Sequence, residues 1–201
     1  MDTSWRPADC PPLAWPALAD DNARLHWYRQ VCSAYAALLG EDDAPQPGTG
    51  ALAVQACEAR LGYALPPLFA RYHCAIGRLS LAETLCCPGD LAPRIEPLQD
   101  AYPSLDEIDA SAAEHALATD LLVFGNYLGN GNLWCFHRVT GAVYYFDHDD
   151  GAMLTRMFDS VAAYLDALML LCLGEVYDDD DSAEALLKAR FGAAAIRKWR
   201  Y

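Results

Sequence analysis

The cluster of metal-binding or proton-moving side chains that merits a chemical hypothesis in this chain is Asp147-His148-Asp149-Asp150, within the run FDHDDG. Three carboxylates and an imidazole at that density would suit a divalent cation or general acid–base chemistry. In an extended strand, however, successive side chains point to opposite faces, which puts Asp147 and Asp149 on one side and His148 and Asp150 on the other. At most two neighbouring groups then reach one ion without a sharp turn, and a distant ligand would have to complete the site. The spaced oxygens and closing glutamate of a calcium loop are absent. The run reads as a solvated strand end or a protein-contact surface, and no metal or cofactor is expected.

Other candidate chemistries are weaker. Gly129 and Gly131 form a GxG in NYLGNGNL, but this run lies between two strand patterns, with no helix start and no lysine to hold a phosphate, so it reads as a hairpin loop. Cys135 and His137 fall on one strand face, where a packing role is the expected one for a thiol and imidazole inside an apolar run. Eight cysteines occur with no CxxC spacing. Most sit in apolar periodic segments, so they read as reduced core thiols; a zinc site from Cys86 and Cys87 with His73 or Cys74 would require adjacent residues to share one tetrahedral ion. No catalytic residue is assigned, and the chain is not expected to be an enzyme.

The elements around these residues follow from periodicity and caps. Asp20 or Asp21 caps a helix to Leu39; a second runs from about Ala51 to Leu61 and stops at Gly62; Pro67 opens a third that stops at Gly77. Strand-like runs near 79–82, 84–87 and 91–98 carry prolines that confine them to sheet edges. Residues 104–118 read as one helix with Asp106 and Glu107 in its first turn. Strands are expected at 121–124, 133–138 and 142–148, the last two joined by a turn at Thr140-Gly141. Asp159 or Ser160 caps a helix from Val161 to Leu173, apolar on nearly every side, followed by a solvated acidic loop at EVYDDDD. Ser182 caps a last helix ending near Gly192, and the basic tail AIRKWRY has three readings, binding to acidic surface of the same chain, anchoring of Trp199 in a groove, or fraying, the last being the commonest for a terminal segment.

The formal charge is −14, from 28 acidic and 14 basic residues, and five of the basic ones lie in the last 14 positions, so residues 1–187 are more acidic than the total suggests. Such a field repels nucleic-acid backbones and anionic lipid and speeds encounter with a cationic partner, or it serves solubility alone. The start of the chain lacks a basic segment followed by an apolar run, and no stretch approaches the ~20 residues of a membrane span. A cytoplasmic location is expected.

The order of a helix, then EARLGYALPPLFARYHCAIG, then irregular strands, then LLVFGNYLGNGNLWCFHRVTGAVYYFDHDD, then a helix opened by FDSVAAYLDAL, resembles the SUKH superfamily, the Smi and Knr type domain. Leu65-Pro66 through Tyr72 and Gly77, Leu122 through His148, and Ser160 through Leu165 carry the resemblance, which covers about residues 50–175. Asn126 and Asn130 stand where acidic residues are common in the family's loop. The resemblance implies an α+β domain, an antiparallel-rich curved sheet with helices packed against it; outside it, residues 1–49 read as an accessory helical segment and residues 176–201 as an acidic loop, helix and basic tail. It also implies an immunity protein that binds and neutralises a cognate polymorphic toxin, a nuclease or other nucleic-acid-acting toxin, or alternatively a regulatory scaffold without catalysis. The expected partner surface combines Asp147, Asp149 and Asp150 with Asp178, Asp179, Asp180 and Asp181, with Tyr127 and Trp134 as aromatic anchors.

Overall fold

Ser111 and Glu114 close a reciprocal cap in which the Ser111 hydroxyl accepts from the Glu114 N–H and the Glu114 carboxylate accepts from the Ser111 N–H. That cap starts a helix at Ala112, eight residues later than the sequence suggests. In the computed structural model, which describes residues 7–39, 48–76, 83–89, 93–127, 131–149 and 152–200, Asp106 and Glu107 instead belong to a short 3-10 turn at Leu105–Glu107. The chain divides into two compact units, Pro47–Ala162 and the combination of Met1–Gln46 with Ala163–Tyr201.

The central unit contains helices α2 (Ala51–Leu61), α3 (Pro67–Ala75), α4 (Leu98–Ala101) and α5 (Ala112–Ala118) and strands β1 (Glu83–Leu85), β2 (Glu96–Pro97), β3 (Leu121–Tyr127), β4 (Leu133–His137), β5 (Val143–Phe146) and β6 (Leu154–Phe158). The strands form one antiparallel sheet in the order β1-β3-β4-β5-β6, with β2 joined to β3 beyond β1's register. This is the expected α+β architecture. Pro97 sits in the short edge strand β2, as its missing N–H requires. Two irregularities in register, at Val123/Gly125 and Val143/Tyr144, interrupt the ladder.

Helix α3 begins with Pro67 at a position whose N–H has no helical partner in any case. Its Phe69 meets Phe124 of β3 and Phe136 of β4 edge-on, at 5.5 and 6.2 Å between ring centroids. Edge-to-face packing of this kind adds about 0.5–1.5 kcal/mol per pair beyond area burial. Arg60 of α2 donates to the Ile95 carbonyl at 2.8 Å, and Glu58 accepts from the Leu65 N–H at 2.8 Å, so two charged side chains tie the helical hairpin to its surroundings. The β4–β5 turn uses His137, whose Nδ1 accepts from the Val139 N–H at 3.1 Å.

β6 and α4 have no counterpart in the expected elements. The segment Leu154–Phe158 runs directly into the next helix, and the alternation that marks a strand is short and interrupted by Arg156. The 79–82 run and Gly77 lie outside the described residues.

The second unit joins α1 (Asp21–Leu39), α6 (Val161–Tyr177) from Ala163 onward, α7 (Asp180–Phe191) and α8 (Ala193–Arg200). The segments before and after the central unit in sequence thus pack with each other. Asp20 caps α1 by accepting from the Ala23 N–H at 2.9 Å. Arg24 Nε and the Tyr28 hydroxyl, both on α1, converge on one carboxylate oxygen of Asp166 on α6, at 2.9 and 2.6 Å. One turn from the end of α1, the Tyr35 hydroxyl donates to Glu175 at 2.8 Å. The leading segment is held by Trp15, whose Nε1 donates to the Leu186 carbonyl at 3.2 Å while Arg190 lies over its ring, and by Tyr177, which donates to the Pro11 carbonyl at 2.9 Å.

α6 runs one turn beyond Leu173, so Glu175, Val176 and Tyr177 are helical rather than part of a loop. Asp179, not Ser182, is the cap of α7, accepting from the Ser182 N–H at 3.1 Å. The expected frayed tail is helix α8, with Trp199 buried against Tyr164 at 5.9 Å. Its charged residues mask an apolar face made of Ile196 and Trp199.

Candidate partner-binding surfaces

β5 ends at Phe146, and the next residue still pairs, with the Asp147 N–H donating to the Met153 carbonyl at 3.0 Å. The chain then turns sharply. The Asp149 N–H donates to Asp147 Oδ1 at 3.2 Å, which folds the Asp147 carboxylate back over its own turn. Asp149 keeps 83% of its side chain exposed.

His148 points the other way and is pinned. Asn132 Oδ1 accepts both the His148 backbone N–H at 3.3 Å and ring Nδ1 at 2.9 Å, which fixes the amide orientation and places the ring hydrogen on Nδ1. Asn132, itself buried, donates through Nδ2 to the Tyr145 hydroxyl at 3.0 Å. The ring also lies over Gly131, where φ is +92° and an added Cβ would stand 2.8 Å from His148 Cε1. Tyr102, between α4 and the 3-10 turn, is 5.8 Å from the His148 ring and 5.1 Å from Phe146. The remaining nitrogen, Nε2, is 3.3 Å from Asp149 Oδ2, a contact that becomes an ion pair when the imidazole is protonated.

Asn132 and Tyr102 were not singled out as members of this arrangement from sequence. The signal was an asparagine in a glycine-rich loop, which reads equally well as turn chemistry. Among the described residues no three histidine, cysteine, aspartate or glutamate side chains converge as metal ligands would. Cys135 and His137 do not form a nucleophile pair: the Cys135 thiol is fully buried and held well above its ordinary range by that burial, while His137 Nδ1 is occupied by the β4–β5 turn.

The second acidic group belongs to the other unit. Asp178, Asp179, Asp180 and Asp181 are all exposed in the α6–α7 turn and the first turn of α7. Asp178 adopts a left-handed backbone (φ 54°), the Asp179 N–H returns to the Gly174 carbonyl at 2.9 Å, and Asp180 and Asp181 sit at the positive end of the α7 dipole. The turn is tight because Gly174 lets the two helices touch: a Cβ there would be 2.7 Å from that of Ala183. With Leu38 and Glu175 the four aspartates line an open cleft of about 490 Å³. What reads in sequence as a solvated loop is, from Asp178 to Asp181, a tight corner between two helices in which Asp179 caps α7 and all four aspartates are exposed.

The two expected anchors fare differently. Trp134 is fully buried, 5.1 Å from Tyr145 and 6.1 Å from Phe158 between ring centroids. It is a core residue with no surface to offer, because β4 is a central strand whose first four residues are all buried. Tyr127 ends β3 opposite Glu83; its side chain, like the whole of Asp150, lies outside the described residues.

The family model for the SMI1 / KNR4 family (SUKH-1) matches residues 50–167, more than half of the chain. The chain belongs to the SMI1 / KNR4 family (SUKH-1). No curated protein and no solved structure matches it. The SMI1 / KNR4 match covers α2 through β6 and the first turns of α6, so the Asp147–Asp149 turn lies inside the family segment and the Asp178–Asp181 corner outside it. No helix among the described residues is long and apolar enough to cross a membrane.

Proposed function

We propose that this SMI1 / KNR4 family member is an immunity protein that binds a cognate polymorphic toxin, a nuclease or other nucleic-acid-acting toxin, and neutralises it by covering the basic cleft that would hold the nucleic acid. It breaks no bond itself. The observation that carries this reading is the corner at Asp178–Asp181, where four exposed aspartates crowd the turn between α6 and α7 and the first turn of α7 within a chain of net charge −14. A patch of one sign raises the encounter rate with an oppositely charged protein. Asp147 and Asp149 supply a second patch of the same sign on the central unit, Asp150 and Tyr127 are kept as proposed contacts from the sequence alone, and Trp134 is no longer part of the surface. The partner is therefore a basic protein, and the chain acts where it is made, in the cytoplasm.

The test begins with co-expression of the chain and the product of the neighbouring gene, scored for rescue of growth. Rescue by the wild-type chain supports immunity, and failure against every neighbouring gene product favours a regulatory scaffold. Surface placement is tested separately with D178N/D180N/D181N, which removes three charges and keeps the Asp179 cap. The expected result is a slower association with the purified partner and a weaker dependence on salt; unchanged values of both would move the interface elsewhere.

A further inference from the structure

β6 is the last strand of the sheet, and its outward edge carries a specific obstruction. The Asp147 N–H bond to Met153 makes 147/153, and two residues along 145/155, the closely bonded pairs of the β5–β6 ladder. Leu154 and Arg156, opposite Phe146 and Tyr144, therefore turn their N–H and C=O groups away from β5. An edge of this kind is a template for another strand. Here Glu114 of α5 reaches across 40 positions of sequence and accepts from the Leu154 N–H at 3.4 Å. Its other oxygen is fixed by the Ser111 N–H at 3.1 Å and the Ser111 hydroxyl at 2.8 Å. The helix cap thus aims a carboxylate at the strand edge. Arg156, the next outward position, is exposed and paired with Asp159 at 2.9 Å.

We propose that Glu114 guards the β6 edge against strand addition, and that the strand it excludes is β6 of a second copy of this chain. A second copy is the occupant because an antiparallel edge is complementary to itself about a two-fold axis, and only three such registers use these outward groups. Centring the axis on Leu154 or on Thr155 requires the Leu154 N–H, which Glu114 holds. Centring it on Arg156 leaves that N–H alone but sets two guanidinium groups directly opposite each other, where like charges repel. The two side chains between them bar all three registers.

Sedimentation and backbone amide exchange test this on the full chain. E114A/R156T is expected to give a species of twice the wild-type mass, while S111A, which weakens the same helix cap but keeps the carboxylate, stays at the wild-type mass. A double variant that melts cooperatively and keeps the wild-type mass overturns the proposal, as does S111A associating as readily as the double variant. Should the double variant fail to fold, the single variants decide: the Leu154 amide should exchange about tenfold faster in E114A than in S111A. Equal exchange in the two would mean that Glu114 does no more than cap its helix.

Discussion

Tyr28 donates its hydroxyl to Asp166 Oδ1 at 2.6 Å on the same oxygen that receives Arg24 Nε at 2.9 Å, so one nearly inaccessible carboxylate ties two turns of α1 to α6. Burying that charge is tolerable only because both donors are present. Asp166→Ala leaves a guanidinium and a phenol facing an apolar helix and should destabilise the protein by about 3 kcal/mol, read as a lower denaturant midpoint. Asp166→Asn keeps an acceptor for Tyr28 and should lose roughly half as much.

His73 presents the opposite case, a buried ionisable group whose ring nitrogens have no hydrogen-bond partner among the described residues, packed edge-on against Phe69 at 4.4 Å and Tyr72 at 5.5 Å. Burial pushes its pKa from 6.5 down to about 3. The folded protein therefore refuses a proton that the unfolded chain accepts, and stability contributed by neutral His73 is complete above pH 6.5 and drains away as the pH falls towards about 3. The slope is about 1.4 kcal/mol per pH unit across that window. His73→Phe should flatten the acid limb of a stability–pH curve by that amount while leaving the carboxylate contributions, Glu114 among them, unchanged. Parallel curves for the two proteins would show that water or a rearrangement relieves the imidazole.

Replacing a helix-interior glycine by alanine ordinarily stabilises by about 0.5–1 kcal/mol. Gly174→Ala should instead destabilise, by about 1–3 kcal/mol, because its new methyl group would stand 2.7 Å from Ala183 Cβ. Combining it with Ala183→Gly should recover most of the loss, and a thermal-melting cycle over the four proteins measures the coupling directly.

Thiol labelling under native conditions should rank the cysteines by access and acidity. Cys74 is exposed and should react first. Cys32, pushed up to about 12 by burial, and Cys135, held well above its ordinary range by the same cause, should stay silent until the protein is unfolded. Labelling of Cys135 in the folded protein would contradict the closed packing around β4.

The helices with clean ends were legible: Asp20, Gly62 and Pro67 each announce a boundary that the structure places within one residue. The hairpin from β4 to β5 was legible for the same local reason, a glycine turn between alternating segments. Elements whose cause is tertiary were not. β6 reads as the approach to a helix because Arg156 breaks its apolar alternation, and α8 reads as a loose tail because only packing reveals that Trp199 is anchored. The Ser111–Glu114 cap was visible as a pattern, but Asp106 and Glu107 offered an equally plausible acidic start five residues earlier. Trp134 shows the limit for the candidate surface: an aromatic residue beside a loop looks like an anchor until the strands on both sides of it are known.

α6 continues for ten residues past Ala167, where the family segment stops, and Leu168, Met169, Leu170, Cys172, Leu173 and Val176 in that stretch are buried. A fragment trimmed to the recognisable region, residues 50–167, would sever this rod after its first seven residues, remove Arg24 and Tyr28 while leaving their acceptor Asp166 behind, and leave a greasy stub that invites clumping. Anyone isolating the shared portion for crystals or pull-downs should keep the rod whole along with the helices that wrap it.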